Sequence, residues 1–594
     1  MGHSENSLPE ILQRRSADQG DALAFRFLTD GTTDQTVDWT YRSLARHAAT
    51  VAAELDGIAG QRVVLAVDPG LHYVAALFGA LAAGATVVPS FPPAGRRATT
   101  RFLAILDDCS PAVIIGSSWL AAEVEKLADR MPQAARQARW LFLDDEFFQR
   151  PEEAPELPIR ALNPALLQYT SGSTGDPKGI ILTHDNLLSN CNVLQHHMGV
   201  VPGRIGCSWL PPYHDMGLMG TIMLALHSGW PLVMLSPIHF VQQPYRWLKA
   251  ISEYGVTISV SPNFALDMCV ETITDEELQT LDLSTLRQLY CGAEPVLKTT
   301  LDRFRDRFAP HGYRESALIP CYGMAEATLF VSGKPDETLL RSVWLDKPAL
   351  ERGSVREATP GTAHITETVS CGAIAHDHDV IIVDPQTLEP VQPGAVGEIW
   401  VDGPSVAKGY FDRPELDGTF TARPRDADHD AGHNAGHKGT YLRTGDLGFL
   451  LDGELFVTGR LKDVVIIAGR NLYPQDIEVS TLAAHPDLRR SAAFSVRPDA
   501  GEEQLVVVAE FRRAGSRTEA ELAEVREAVV AMVTAEHAVR PATVHLGPPG
   551  TIPTTTSGKV RRGAARDSYV EGGLKKLIVA PAPDALATSG GSTE

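Results

Sequence analysis

The order of apolar segments predicts an α/β protein: a large N-terminal domain built on parallel sheet, followed by a small α+β domain. Two patterns carry this expectation. In the opening third, short β-branched runs alternate with helix-length apolar segments, the arrangement that buries a parallel sheet between layers of helices. After about Gly459 the order becomes β-α-β-β-α-β, which suits a small, separate unit.

The elements follow in chain order. Residues 62–67 (RVVLAV) read as a buried strand, 72–83 as a helix and 85–89 as a second strand. Residues 99–108 are helical and 112–116 (AVIIG) form a strand again. The pattern resumes with strands at 256–260 and 286–290. In the last part, 464–467 is strand-like and 474–484 helical, 491–496 and 504–511 are strands, 519–537 is a long helix and 543–546 a last strand. The final stretch, APAPDALATSGGSTE, is rich in Pro, Ala, Ser and Gly, a composition that predicts a disordered tail.

With 594 residues, 44% hydrophobic content and a net charge of -21, the chain reads as a globular protein with a sizeable core. The charge argues against a nucleic-acid partner, which needs a basic footprint. Seven cysteines, an odd number without a C-x-x-C pair, argue against a disulfide framework or zinc site and fit a reducing cytoplasm. The N-terminal MGHSENSLPEILQRR lacks the apolar core of a signal peptide. Two apolar stretches, from Tyr73 and from Thr221, are broken by Gly and Pro and read as helix-then-strand rather than membrane spans.

The first chemical signal is residues 169–179, YTSGSTGDPKG. Thr170, Ser171, Gly172, Ser173, Thr174 and Gly175 are all Gly, Ser or Thr, so backbone N–H groups and hydroxyls can wrap an anion closely. Lys178 adds charge. It is not a Walker A loop, because Pro177 stands where that motif needs Gly.

Here the chain resembles the adenylate-forming superfamily of acyl-CoA synthetases, peptide-synthetase adenylation domains and luciferases, whose signature is a loop of this kind. Further stations occur in the expected order: LPPYHDMGL (210–218), CGAE (291–294), YGMAE (322–326), YLRTGDL (441–447), GRLKD (459–463) and TTTSGKVRR (554–562). The resemblance covers about residues 40–562. It implies a β-barrel-like subdomain in the large domain and a mobile C-terminal domain. The boundaries expected are 1–460 for the AMP-binding domain, with an insertion at about 336–369, then 461–575 for the small domain and 576–594 for the tail.

The resemblance also assigns roles. Gly292, Ala293 and Glu294 face Tyr322, Gly323 and Met324 across adenine, with the Tyr322 ring stacking on it. Glu326 holds Mg2+, together with Thr174. Asp446 accepts from the ribose hydroxyls, and Arg460 lies near ribose and phosphate. Lys462 is the hinge, Lys559 the catalytic lysine of the small domain, and His214 the aromatic gate beside the carboxylate. Ala325 stands where the family commonly has Thr.

These types suit the chemistry. A carboxylate must attack the α-phosphate of ATP, and two anions meeting in a dry site repel. A lysine and a divalent cation offset that repulsion, and positioning supplies much of the rest.

The phrases LPPYHDMGLMG, SPIHFVQQPYRWLKAIS, SPNFALDMC, YGMAEATLF and GRNLYPQDIE are similar to the fatty acyl-AMP ligase branch. So is the polar, turn-rich insertion DKPALERGSVREATPGTAHITETVS, which in that branch is thought to restrain the small domain and disfavour CoA. The resemblance implies a medium- or long-chain fatty acid as substrate. The acceptor it implies is the phosphopantetheine thiol of an acyl carrier protein in polyketide, peptide or lipid biosynthesis. Met216, Gly217, Leu218, Phe264 and Met268 are the candidate acyl-binding residues. Since carrier proteins are acidic, docking calls for a local basic patch, at Arg561 and Arg562 or at Lys575 and Lys576.

Two other readings stay open from the residues alone: a fatty acyl-CoA ligase with an unusual loop, and a catalytically silent nucleotide-binding regulator. His429, His433 and His437 recur every four residues, but Gly432 and Gly436 between them favour a loop over a metal-binding helix face. Ser568 follows Asp567 as in a phosphopantetheine attachment site, yet too little chain remains for a carrier bundle.

Overall fold

The computed structural model describes residues 5–149, 156–170, 177–425, 439–467, 470–497, 503–555, 558–577 and 579–580. Two compact units emerge: Met1–Trp344 with Glu367–Val457, and Leu345–Thr366 with Thr458–Glu594.

The large unit is built on two sheets. One has six strands in the order Arg139–Leu143, Val113–Ser117, Arg62–Ala66, Thr86–Pro89, Leu166–Thr170 and Lys178–Leu182. All its pairs are parallel except the last, where Leu166–Thr170 and Lys178–Leu182 run antiparallel on either side of the phosphate loop. The predicted strands and the helix Leu71–Ala82 fall where expected to within a few residues. That helix carries no charged residue, and every side chain from Tyr73 to Ala82 is buried. Among the described residues, no helix is long and apolar enough to cross a membrane.

The second sheet has a parallel centre made of Leu23–Leu28, Leu232–Leu235, Gly206–Ser208, Ile258–Pro262, Gln288–Gly292 and Leu318–Gly323. Antiparallel strands continue it from Phe330–Gly333 through Ala373–Ile374, Glu454–Arg460, Leu442–Leu451 and Gly397–Asp402 to Asp379–Val383. These are the counterpart of the expected β-barrel-like subdomain, hydrogen-bonded edge to edge onto the parallel strands. The buried strands Ile258–Pro262 and Gln288–Gly292 show no inward–outward alternation, as a sheet covered on both faces requires.

The small unit holds a three-stranded sheet, Leu488–Val496, Gln504–Phe511 and Thr543–Gly547, the first pair antiparallel and the second parallel. Helices Pro474–Ala483 and Glu519–His537 belong to it. The long helix begins in a capping box in which Thr518 and Glu521 satisfy each other's backbone N–H, typically a contribution of about 1 kcal/mol. Its Leu522, Val525, Val529 and Val533 recur at helical spacing and are buried against Leu505, Val507 and Ala509 of the sheet within one apolar cluster.

Two features differ from the sequence expectation. Residues 345–366, read as an insertion within the large domain, group with the small unit. Buried charge accounts for this. In the helix Lys347–Glu351, Glu351 accepts from Arg470 Nε at 2.9 Å, while Lys347 Nζ donates to the Glu536 carbonyl at 3.1 Å. Arg470 also donates to the His537 carbonyl at 2.8 Å. Second, the chain beyond 575 is not all tail: Val579–Ala580 pairs in parallel with Arg517–Thr518. Residues 581–594, like the His429, His433 and His437 run, lie outside the described residues.

Candidate active site

The phosphate loop is framed by its two flanking strands. Thr170 ends one and Lys178 begins the other, paired across the antiparallel ladder. Ser171, Gly172, Ser173, Thr174 and Gly175 lie outside the described residues. The entering strand is held from both sides. Gln168 Nε2 donates to the Tyr213 carbonyl at 2.9 Å, and the Tyr169 hydroxyl donates to Asp108 at 2.5 Å. Burial, with the neighbouring Cys109 and Asp108, drives the Tyr169 phenol well above its ordinary pKa, so it stays a protonated donor.

The Gln168 contact bears on His214. Tyr213 packs edge-on to Phe91, and burial lifts its hydroxyl to about 12. His214 follows directly, its carbonyl accepting from Leu218 N at 2.8 Å and its ring 5.2 Å from that of Tyr213. One glutamine therefore ties the strand entering the phosphate loop to the segment that carries His214.

The expected adenine walls come from adjacent parallel strands, Gln288–Gly292 and Leu318–Gly323. Ala293 takes a left-handed φ of 68°, rare without glycine, and Glu294 accepts from Phe264 N at 2.6 Å. Gly323 is required sterically, since a Cβ there would lie 1.9 Å from the Leu329 carbonyl oxygen. Beyond Met324, Glu326 sits half-buried in a short helical turn. Its Oε1 accepts from the Tyr410 hydroxyl at 2.9 Å, and Lys178 Nζ lies 5.3 Å from the centroid of the same tyrosine ring.

Asp446 is buried, and its carboxylate accepts from the Tyr322 hydroxyl at 2.8 Å. Its turn is fixed by Thr444, whose hydroxyl accepts from Asp446 N at 3.0 Å and donates to the Ile399 carbonyl at 2.6 Å. Buried Glu398 completes the turn, taking Arg443 Nη2 at 2.8 Å, Trp400 Nε1 at 3.0 Å and Gly445 N at 3.1 Å. The structure thus brings together two groups of the candidate residues, Lys178 with Glu326 and Tyr322 with Asp446.

The candidate acyl-binding residues divide between two apolar clusters. Met216 and Leu218 belong with one, and Phe264 and Met268 pack against the other, with Leu210 bordering both. Gly217 is a packing residue: a Cβ there would lie 2.3 Å from the Pro211 carbonyl oxygen.

Arg460, Lys462 and Lys559 belong to the small unit. Arg460 ends a strand and Lys462 lies in the helical turn Leu461–Asp463. Lys559 closes a tight loop in which its N–H donates to Thr555 Oγ1 at 3.0 Å and its carbonyl accepts from Thr555 N at 2.8 Å. Arg562 is not a surface cation, contrary to the docking expectation. It grips Glu478 through two contacts of 2.7 Å and reaches Asp463 at 3.5 Å. Lys575 and Lys576 are exposed.

A family model described as AMP-binding enzyme matches residues 12–411. The chain belongs to the AMP-binding enzyme family. Within it, the chain is 39% identical over 585 residues to the medium-chain-fatty-acid–[acyl-carrier-protein] ligase JamA of Moorena producens, covering 96% of each chain. It is 36% identical to the long-chain-fatty-acid–AMP ligase FadD26 of Mycobacterium bovis, covering 98% of this chain and all of that one. A solved fatty acyl-adenylate ligase from L. pneumophila, in complex with acyl adenylate and pyrophosphate, matches with a TM-score of 0.71 at 34% identity, over 96% of this chain and 97% of that one. The family's α/β architecture, with its large N-terminal and smaller C-terminal part, is the fold described above.

Sequence reasoning missed Asp108, Gln168, Glu398 and Tyr410. None lies in a short motif; each acts through a partner remote in the chain, such as Tyr410 with Glu326, 84 residues apart.

Proposed function

We propose that this enzyme joins a medium- or long-chain fatty acid to AMP and passes the acyl group to the phosphopantetheine thiol of an acyl carrier protein. The observation that carries the reading is the pairing of Lys178 with Glu326 through Tyr410, and of Tyr322 with Asp446, in one unit of an acyl-adenylate ligase fold. The full-length similarity to a carrier-protein ligase and a fatty-acid–AMP ligase supports the substrate and acceptor.

In the first half-reaction a fatty-acid carboxylate oxygen bonds to the α-phosphorus, and the bond to the bridging oxygen breaks to release pyrophosphate. Lys559 offsets the charge that gathers between carboxylate and α-phosphate. The loop 170–175 and Lys178 hold the β- and γ-phosphates, Asp446 and Arg460 the ribose, and Tyr322 with 292–294 the adenine. In the second, the thiol sulfur bonds to the acyl carbon and AMP leaves.

The Glu326 carboxylate and Thr174 hydroxyl are hard oxygen donors of the kind Mg2+ takes. No group of three or more acidic, His or Cys side chains able to hold a metal exists among the described residues. Mg2+ usually keeps waters and nucleotide phosphates as most of its ligands, so one or two protein oxygens suffice to place it. When bound, Mg2+ would neutralise the departing pyrophosphate. Tyr410 fixes the Glu326 oxygen that faces it, and the Lys178 ammonium lies beside the tyrosine ring. A cytoplasmic location accords with the seven free cysteines, six of them buried and Cys321 half-buried.

Mass spectrometry of reactions with ATP, Mg2+ and a series of fatty acids, with and without CoA, tests the reading. Acyl-AMP that persists in the presence of CoA is the expected result. Rapid conversion to acyl-CoA would make the enzyme an acyl-CoA ligase, and ATP binding without pyrophosphate release would make it a silent regulator.

A further inference from the structure

The geometry points to Tyr410 as a positioning residue for adenylation, the centre of a clasp, residues 407–413, that joins Glu326 to both strands of the phosphate loop. This inference rests on the roles proposed for Glu326 and Lys178. Each step along the clasp meets a different part of the site. Ala407 N donates to the Glu326 carbonyl at 2.9 Å. Lys408 N donates to the Ile181 carbonyl at 3.0 Å, Ile181 N to the Gly409 carbonyl at 2.9 Å, and Phe411 N to the Gly179 carbonyl at 2.7 Å. These three bonds add the clasp to the strand Lys178–Leu182 that leaves the loop. At the far end Arg413 Nη2 meets Asp108 at 2.5 Å, and Asp108 also accepts from Tyr169 on the strand that enters it.

Tyr410 is the side chain that uses this frame. Its hydroxyl donates to Glu326 Oε1, and its ring lies 5.3 Å from the Lys178 ammonium. The Phe420 ring packs edge-on to it at 5.0 Å, limiting its rotation. The two polar contacts are chemically distinct. The O–H bond orients a carboxylate that is to meet a cation. The negative face of the ring attracts an ammonium that is to meet phosphate. One half-buried side chain thereby sets the spacing between the acidic and the basic group on either side of a nucleotide triphosphate.

The two contacts can be separated. Tyr410→Phe removes the hydrogen bond and keeps the ring; Tyr410→Leu removes both. Turnover is read from pyrophosphate release across a Mg2+ titration, and ATP binding from calorimetry with and without Mg2+. Y410F is expected to lower kcat by about 10–100-fold and to raise the half-saturating Mg2+ concentration, as loss of a metal ligand's supporting partner does. Its metal-free ATP affinity should match wild type. Y410L should weaken that affinity a further two- to fivefold, about the worth of one cation–π contact. In a Glu326→Gln background Y410F should add almost nothing, because coupled residues are non-additive. Wild-type turnover and Mg2+ dependence in Y410F, or the same fold loss with and without Glu326, would overturn the inference. Unimpaired E326Q would overturn the Glu326 assignment along with it, whereas impaired E326Q beside intact Y410F overturns the role of Tyr410 alone.

Discussion

The Tyr322 hydroxyl donates to the Asp446 carboxylate at 2.8 Å, joining two motifs 124 residues apart in one buried hydrogen bond. The carboxylate proposed to receive the ribose is thus already oriented by the ring proposed to stack on adenine. A charge-assisted bond is typically worth about 1.5–3 kcal/mol. Asp446→Ala should therefore weaken ATP binding by about tenfold or more in calorimetry. Tyr322→Phe keeps the ring and loses the hydroxyl that orients Asp446 and also reaches Met324 Sδ at 3.7 Å, so a loss of a few fold is expected. Equal losses in the two variants would remove Asp446 from the ribose site.

Lys559 tests the chemical step. Its loop is stitched by Lys559 N donating to the Thr555 hydroxyl and Thr555 N donating to the Lys559 carbonyl, neither of which uses the lysine side chain, so a truncated side chain should leave the backbone in place. Lys559→Ala is expected to lower acyl-adenylate formation by ~10²–10³, the usual effect of losing one group that stabilises developing charge. ATP binding should stay near wild type. Pyrophosphate release at the wild-type rate would show that the lysine takes no part in the first half-reaction.

Much of this was legible in the sequence, for physical reasons. The helix Leu71–Ala82 and strands such as Gln504–Phe511 are strongly apolar, and continuous burial leaves few alternatives to them. The candidate site motifs were found through their resemblance to the adenylate-forming superfamily, and at Gly323 the close approach of the Leu329 carbonyl gives a local reason for one of their residues. What stayed hidden depends on distant partners. Arg562 looks like half of a basic surface pair until Glu478 and Asp463 close around it. Polar composition marks residues 345–366 as a surface loop, but Lys347 and Glu351 are buried, and only the three-dimensional placement of Arg470 and Glu536 reveals why.

Arg562 and the lysines that follow it should behave oppositely. Removing one partner of a fully buried ion pair typically costs about 3–5 kcal/mol, because the other charge is left unpaired; Arg562 and Glu478 are 18% and 12% exposed, so a somewhat smaller cost is expected. Arg562→Ala should therefore strongly destabilise the small unit in urea unfolding of the full chain, with acyl-adenylate formation lost as a consequence. The Lys575→Glu, Lys576→Glu double variant changes exposed positions and should stay within about 0.5 kcal/mol of wild type for each substitution. If these lysines receive an acidic carrier protein, the double variant slows acyl transfer and spares acyl-adenylate formation. Equal loss in both steps would exclude them as the docking patch.

His537 gives the small unit a defined acid sensitivity. Its ring Nε2 shares a 2.8 Å hydrogen bond with the Ser480 hydroxyl. Burial, reinforced by Lys347 and Arg470, lowers its pKa from 6.5 to about 3. The unfolded chain therefore binds a proton near pH 6.5 that the folded chain refuses until about pH 3. The stabilisation is complete above pH 6.5 and is lost progressively as pH falls through that window. At pH 5 the loss is about 2 kcal/mol, from roughly 1.5 pH units at about 1.4 kcal/mol each. Asp476 works against it: burial raises its pKa from 3.8 to about 6, so its contribution falls as pH rises between those values. Comparing wild type with His537→Gln cancels the aspartate and isolates the histidine. In urea unfolding of the full chain, wild type should lose about 2 kcal/mol relative to H537Q on going from pH 7 to pH 5. A pH-independent difference between the two would mean that His537 accepts its proton in the folded state as readily as in the unfolded one.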